Sequence, residues 1–207
     1  LFTVASVIGG LKAAASFSQA FGELEHHRRY EAAAEEIKEA MLKYMWSEEH
    51  GRFCRMAVRK DEGYELDMNI DAAMHALFYF GALPASDSKV KATMKAIKDR
   101  LWVKTDVGGC ARYENDYYHQ VSQDIEKVPG NPWFICSMWL AQYDISGAQN
   151  PENLKDAIEI LEWVAEHALP SGVLAEQVHP YTNEPLSVSP LTWSHATFVS
   201  SVLDYLD

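Results

Sequence analysis

Apolar residues recur along this chain at helical spacing, and the segments that carry them fall into two alternating kinds. The first kind is almost free of charge. Phe2 to Phe21 carries only Lys12, Ile70 to Gly81 only Asp71, Pro132 to Ile145 only Asp144, and Leu191 to Leu206 only Asp204. Helices that are apolar all round are expected to be buried all round. The second kind is amphipathic. Tyr30 to Trp46 sets Ala33, Ile37, Met41 and Tyr44 on one stripe, with Glu31, Glu35, Lys38 and Glu39 elsewhere. Asp87 to Leu101 and Asn150 to Ala168 repeat the pattern. In the latter, Asn150 is the expected N-cap, Pro151 takes the first helical position, and Leu154, Ile158, Leu161 and Ala165 form the stripe.

The order is therefore inner, outer, inner, outer, inner, outer, inner, which makes seven helices in an all-α chain. Successive inner helices start about 60 residues apart, the period of a helical-hairpin repeat. An (α/α) toroid is built this way, and this chain is long enough for half a ring or slightly more. An α-solenoid also stacks helix pairs, but its repeats are shorter and both of its helices usually carry charge. Inner-to-outer links (Gly22 to Glu25, Ala82 to Ser86, Ser146 to Gln149) are short. Outer-to-inner links are long: Ser47 to Asn69, Trp102 to Asn131 and Leu169 to Pro190. Since hairpin helices run antiparallel, the long links gather at one end, where a site is expected. Within the first of them, Gly51 to Leu66 reads either as a short β-hairpin or as an irregular loop.

Composition narrows the function. A chain of 207 residues with 48% hydrophobic and 23% charged content can bury a core. A formal net charge of -12 argues against nucleic acid, which needs a surplus of Lys and Arg on one face. No apolar run approaches the roughly 20 residues that cross a bilayer. Cys54, Cys110 and Cys136 are too far apart for a CxxC metal or redox motif, and their odd number argues against a disulfide framework, so a reducing, cytoplasmic setting is expected. No metal or cofactor is called for. His26 and His27 read as a solvated helix start, His75 and His195 as satisfied core residues, and Met41, Met45, Met68 and Met74 as core packing. Leu1 to Ala15 already reads as a running apolar helix with no N-cap candidate before it, so the natural start is expected upstream.

Two clusters on the long links carry candidate chemistry. The first runs from Asp106 to Trp133 and holds Arg112, Tyr113, Glu114, Asp116, Tyr117, Tyr118, Asn131 and Trp133. A guanidinium beside aromatic rings, amides and carboxylates suits a sugar, whose hydroxyls take charge-assisted hydrogen bonds while its C–H face packs on a ring. The bland alternative is an Arg112–Asp116 or Arg112–Glu114 ion pair stapling the loop, with Trp133 as core. The second cluster places Glu176 in a small, apolar stretch, followed by Gln177, His179, Ser187 and Trp193. Glu176 is either a general base or a solvated loop glutamate.

Taken together, Gly130-Asn131-Pro132-Trp133-Phe134, Ala111-Arg112-Tyr113-Glu114-Asn115-Asp116, Leu174-Ala175-Glu176-Gln177 and Leu191-Thr192-Trp193-Ser194 resemble, in order and spacing, the signature of glycoside hydrolase family 15, the glucoamylases, glucodextranases and related trehalases. The resemblance implies an (α/α)6 barrel, the six-hairpin glycosidase type, of which residues 1–207 would be the C-terminal portion. It implies inverting, exo-acting hydrolysis of α-glucosidic bonds in α-glucans or glucose oligosaccharides. Glu176 matches the general base, Arg112 the arginine that binds glucosyl units, and Trp133 an aromatic wall of the pocket, with Tyr113 beside them. Ser187 matches a serine that donates to the base carboxylate, and Gln177 and Trp193 are supports. The matching acid is a glutamate in a Trp-Glu-Glu segment ahead of the first helix, so this chain is expected to lack it and to need the rest of the domain or self-association. A non-catalytic carbohydrate-binding or interaction protein built on half a toroid is the alternative.

Overall fold

Helices carry most of the chain in the computed structural model, which describes all 207 residues. The fold divides into two units, one of residues Leu1–Asn69 and Met74–Thr93, the other of Ile70–Ala73 and Met94–Asp207.

In the first unit, α1 (Phe2–Ala20) and α2 (Leu24–Met45) form a helical hairpin closed by Gly22 at φ 77°. The amphipathic helix starts at Leu24, six residues before Tyr30. His26 is exposed as expected, but His27 is not a solvated cap, because its Nδ1 lies 3.0 Å from the Ala15 carbonyl and ties α2 to α1. No group of three or more His, Cys, Asp or Glu side chains is placed to hold a metal ion. Gly51 to Leu66 does form β-structure. β1 (Trp46–Ser47) pairs with β2 (Arg52–Phe53), and β3 (Met56–Arg59) pairs with β4 (Tyr64–Asp67), both antiparallel. Ile70 to Gly81 is less helical than its composition predicts, with one 3-10 turn at Ala72–His75 followed by α3 (Ala76–Tyr79). His75 is buried, as expected.

α4 (Ser88–Leu101) begins in the first unit and ends in the second. Asp87 caps it, its Oδ1 accepting from Lys89 N at 2.7 Å. α5 (Phe134–Gly147) matches its reading as an inner helix, with every residue from Phe134 to Gln142 buried. The expected cap at Asn150 forms, Oδ1 accepting from Asn153 N at 3.2 Å. The first turn there, Pro151–Leu154, is 3-10 and precedes α6 (Lys155–Glu166). α7 (Thr192–Leu206) packs on α5, and its buried residues are small, Ser194, Thr197 and Ser201. No helix is long and apolar enough to cross a membrane.

Two apolar helices depart from the expectation of burial on all sides. In α1 only Ala5, Ile8 and Ala15 are buried, whereas Phe17 and Phe21, just past its end, are 68% and 78% exposed. In α7 the apolar side chains Trp193, Val199, Leu203 and Leu206 face solvent while Ser194 and Ser201 are buried. Nothing within the chain covers these faces. Burial of each such side chain is worth about 1.5 to 3 kcal/mol, so the chain on its own is expected to self-associate at micromolar concentration. Light scattering after size exclusion checks this, and a monodisperse monomer with a sharp melt would contradict it.

Asp144 is the one charge in α5, and its Oδ2 is buried without a hydrogen-bond partner. Burial, opposed by Lys98 and assisted by Asp156, raises its pKa from 3.8 to about 6. The folded state thus holds this proton more tightly than the unfolded chain, and the stability it contributes below pH about 4 is lost as pH rises through about 6. Asp144→Asn is therefore expected to melt higher than the parent at pH 7.5 and close to it at pH 4, as thermal melts across that range would show.

Candidate active site

The long links of the second unit are laced to one another by backbone hydrogen bonds, and this lacing positions the candidate residues. Asp71 bridges Tyr113, Ala111 bridges Pro132, Trp133 bridges Gln177, and β5 (Gln177–Val178) pairs with β6 (Pro185–Leu186). Trp133 N donates to Cys110 O and Val178 N to Pro132 O, both at 2.9 Å. Exposed backbone between helices must find partners, and here the links supply them to each other. Arg112, Tyr113, Trp133, Glu176 and Gln177 thereby stand on adjacent segments although up to 65 residues separate them in sequence.

Gly109 and Gly130 permit this close approach. A Cβ on Gly109, at φ 84°, would lie 2.5 Å from the Trp163 ring and 2.8 Å from Pro132 Cβ. A Cβ on Gly130 would lie 2.9 Å from Asp116 Cβ.

Arg112 is held by the ion pair that its loop reading allowed. Its Nε donates to Asp116 Oδ2 at 2.9 Å and its Nη2 to Asp116 Oδ1 at 2.8 Å, a bidentate fork on a carboxylate that is 1% exposed. Glu114 turns away, accepting from Arg100 and from Ile70 N. Burial alone would push the Arg112 guanidinium down, but the hydrogen-bonded Asp116 outweighs it and holds the group above its ordinary value. The guanidinium lies 4.8, 5.3 and 4.5 Å from the ring centroids of Tyr113, Tyr118 and Trp133. Its Nη1 is left for another acceptor. The Tyr113 hydroxyl accepts from Nη2 at 3.3 Å, and burial together with the Asp116 charge raises its pKa.

Trp133 is 4% exposed, too buried to offer a broad stacking wall. It backs Arg112 instead, and the open ring beside it is Tyr118, at 6.1 Å between centroids. Ser187 also differs from its expected role. Its Oγ lies 3.3 Å from the Tyr118 hydroxyl and makes no hydrogen bond to Glu176. Ser187 sits at φ 63° at the end of the β5–β6 hairpin, which turns its side chain toward the Tyr118 loop. Trp193 is exposed at the start of α7, 5.9 Å from the Trp139 ring. Gln177 is fully buried and accepts from Asn131 Nδ2 at 2.9 Å, and Asn131 Nδ2 also donates to His119 O at 2.8 Å. His195, half-buried rather than core, accepts from Leu174 N at 3.0 Å and so braces the Glu176 segment.

Glu176 is half-buried in a pinned segment. Its backbone is pinned on both sides, N to Val188 O at 2.9 Å and O from Phe134 N at 3.4 Å, and its Oε2 is buried without a protein donor. Asn131 Oδ1, Trp133 Nε1 and Gln177 Nε2 are likewise buried and unpaired. Four such atoms on two facing segments form an unusual concentration, since most buried polar groups in folded proteins find a partner. The i, i+4 spacing of Arg112 and Asp116 is the local signal that offers their ion pair, and Asn131 stands in the Gly130–Phe134 motif, whereas nothing local marks the place of Tyr118 beside Trp133.

With this geometry in view, comparison places the chain. The fold is mainly helical and matches a portion of the (α/α)6 toroid of glucoamylase structures. A bacterial glucoamylase solved with acarbose superposes with a TM-score of 0.81 at 22% identity, covering 99% of this chain and 33% of that one. The profile of glycosyl hydrolases family 15 matches residues 1–203, and the chain belongs to that family. An uncharacterized glycosyl hydrolase of Methanocaldococcus jannaschii is 28% identical over 98% of this chain and 32% of its own length. A trehalase of Mycobacterium tuberculosis is 26% identical over 91% of this chain and 25% of its own. The chain thus spans between a quarter and a third of the length of these two curated relatives.

The lacing itself is testable. Gly109→Ala combines a left-handed φ with contacts of 2.5 and 2.8 Å to a ring and to Pro132. It is expected to cost about 2 kcal/mol or more, measured as a lower urea midpoint, with the change in Trp fluorescence confined to the Trp163 environment.

Proposed function

We propose that residues 1–207 are the C-terminal portion of a single (α/α)6 catalytic domain that hydrolyses α-glucosidic bonds with inversion, and that Glu176 is its general base. The observation that carries this reading is the backbone lacing that sets the Glu176–Gln177 segment against Trp133, with Arg112 over the Trp133 ring at 4.5 Å and its Nη1 left unpaired. A carboxylate, a guanidinium with a free edge and the exposed Tyr118 ring on adjoining segments suit a hydroxyl-rich ligand with an apolar C–H face. The substrate is an α-glucan or an α-linked glucose oligosaccharide. The bacterial glucoamylase, solved with acarbose, and the mycobacterial trehalase support that class.

In the proposed reaction, Glu176 takes a proton from a water that attacks the anomeric carbon. The glycosidic oxygen leaves with a proton from a second carboxylic acid about 6.5 to 9.5 Å away on the opposite face of the sugar. That acid is assigned to a glutamate in a part of the domain preceding residue 1. Arg112, held flat by Asp116, donates from Nη1 to sugar hydroxyls, and Tyr113 and Tyr118 line the opening. Asn131 and Gln177 fix the backbone on which Glu176 rides.

Glu176→Gln in the full-length protein is expected to lower kcat on maltose, isomaltose, panose or trehalose by about 10² to 10⁴ while leaving substrate binding within a few-fold. The first product from the parent should be the β-anomer, as read by proton NMR during early turnover. Turnover of the Gln variant at the parent's rate would remove Glu176 from this role.

A further inference from the structure

A second cleft, of about 510 Å³, opens in the same unit. Lys98, Asp99, Trp102, Lys104, Asp156, Glu159, Ile160 and Trp163 line it, and none of these belongs to the candidate active site. Its size lies within the range of ligand sites. We infer that this cleft between α4 and α6 is a second carbohydrate-binding site, which holds a strand of α-glucan on the outside of the domain without cleaving it.

The argument rests on how the charges of the cleft are arranged. Every ionic group on its rim already has a partner. Lys98 bonds Asp156, Asp99 is bonded by Lys95, Glu159 lies 3.5 Å from Lys155, and Lys104 donates to Glu126 O at 3.0 Å. Four of the five charges are paired with an opposite charge and the fifth, Lys104, is bonded to a carbonyl, so the rim is close to neutral and the ligand that fits carries no strong charge of its own. It must still be polar, because the rim offers carboxylate acceptors and ammonium donors side by side, the combination that a row of hydroxyls satisfies. The floor is different in kind. Trp102, Ile160 and the edge of Trp163 form an apolar strip, and Trp102 is fixed beside Gly108 and half-exposed. Trp163 is fixed too, its Nε1 donating to Val107 O at 2.6 Å. A rigid indole under a polar rim suits a pyranose, whose C–H face lies on the ring while its hydroxyls reach the rim. The choice of an α-glucan among neutral saccharides rests on the substrate class proposed above.

Affinity electrophoresis of the full-length protein through amylopectin gels tests the inference, with the inactive Glu176→Gln background used to preserve the matrix. The parent should be retarded. Trp102→Ala should weaken retardation about three- to tenfold. The Lys104→Ala/Glu159→Ala pair changes two exposed side chains, leaves the fold intact, and should weaken it comparably. In the wild-type background both variants should turn over maltose within twofold of the parent. Retardation equal to the parent's in both variants would overturn the second site, and so would an absence of retardation in every protein. If maltose is still hydrolysed in that last case, the reading of Glu176 survives; if it is not, both readings fall together.

Discussion

The backbone of the long links is the constraint on which the rest of the second unit depends. Helices satisfy their own amides and carbonyls, but the stretches around Cys110, Pro132 and Gln177 do not, and they are too buried to rely on solvent. Their solution is to bond each other, Trp133 N to Cys110 O and Val178 N to Pro132 O. Closing such loops costs entropy that grows only slowly with their length, so segments tens of residues apart are brought together at little more cost than near ones. The register of these few bonds decides which side chains share a pocket. A slip of one residue would turn Glu176 and Trp133 to the opposite side.

Two polar regimes meet on this frame. Around Arg112 the valences are largely filled, with Asp116 accepting twice and the rings of Tyr113, Tyr118 and Trp133 surrounding the guanidinium. Around Glu176 they are left open. A buried unpaired polar atom costs roughly 1 to 3 kcal/mol, and a fold tolerates several together only where something else repays the cost. The filled half keeps its shape whether or not a ligand is bound, and a guanidinium held in advance in this way directs binding energy to one orientation of whatever meets its free edge.

The helices were legible in sequence because their signals are local. Asn150 caps where its position predicts, and the uncharged run from Phe134 to Gln142 is wholly buried. The family resemblance likewise rested on short motifs, and membership follows from the profile over residues 1–203. What stayed hidden depends on partners distant in sequence. Nothing near Ser187 announces that its hydroxyl meets Tyr118, 69 residues away, nor does anything near Trp133 reveal that the ring lies under Arg112. Ile70 to Gly81 was misjudged because uniform apolarity is compatible with any buried backbone. There the bridge from Asp71 to Tyr113 took the start of the segment out of the helix.

The exposed faces of α1 and α7 show what periodicity measures. A sequence records the environment that its side chains occupy in the working molecule, and Trp193, Val199, Leu203 and Leu206 carry the composition of a buried helix while facing solvent. α5 has the same composition and is covered, so composition alone does not explain the difference; the presence of neighbours does. In the proposed reading, further parts of the domain cover α7 and complete the pocket around Glu176. Closing the pocket would then serve the chemistry as covering the helix serves stability, because a glycosidic pocket open to bulk water would weaken every electrostatic contact that orients the sugar.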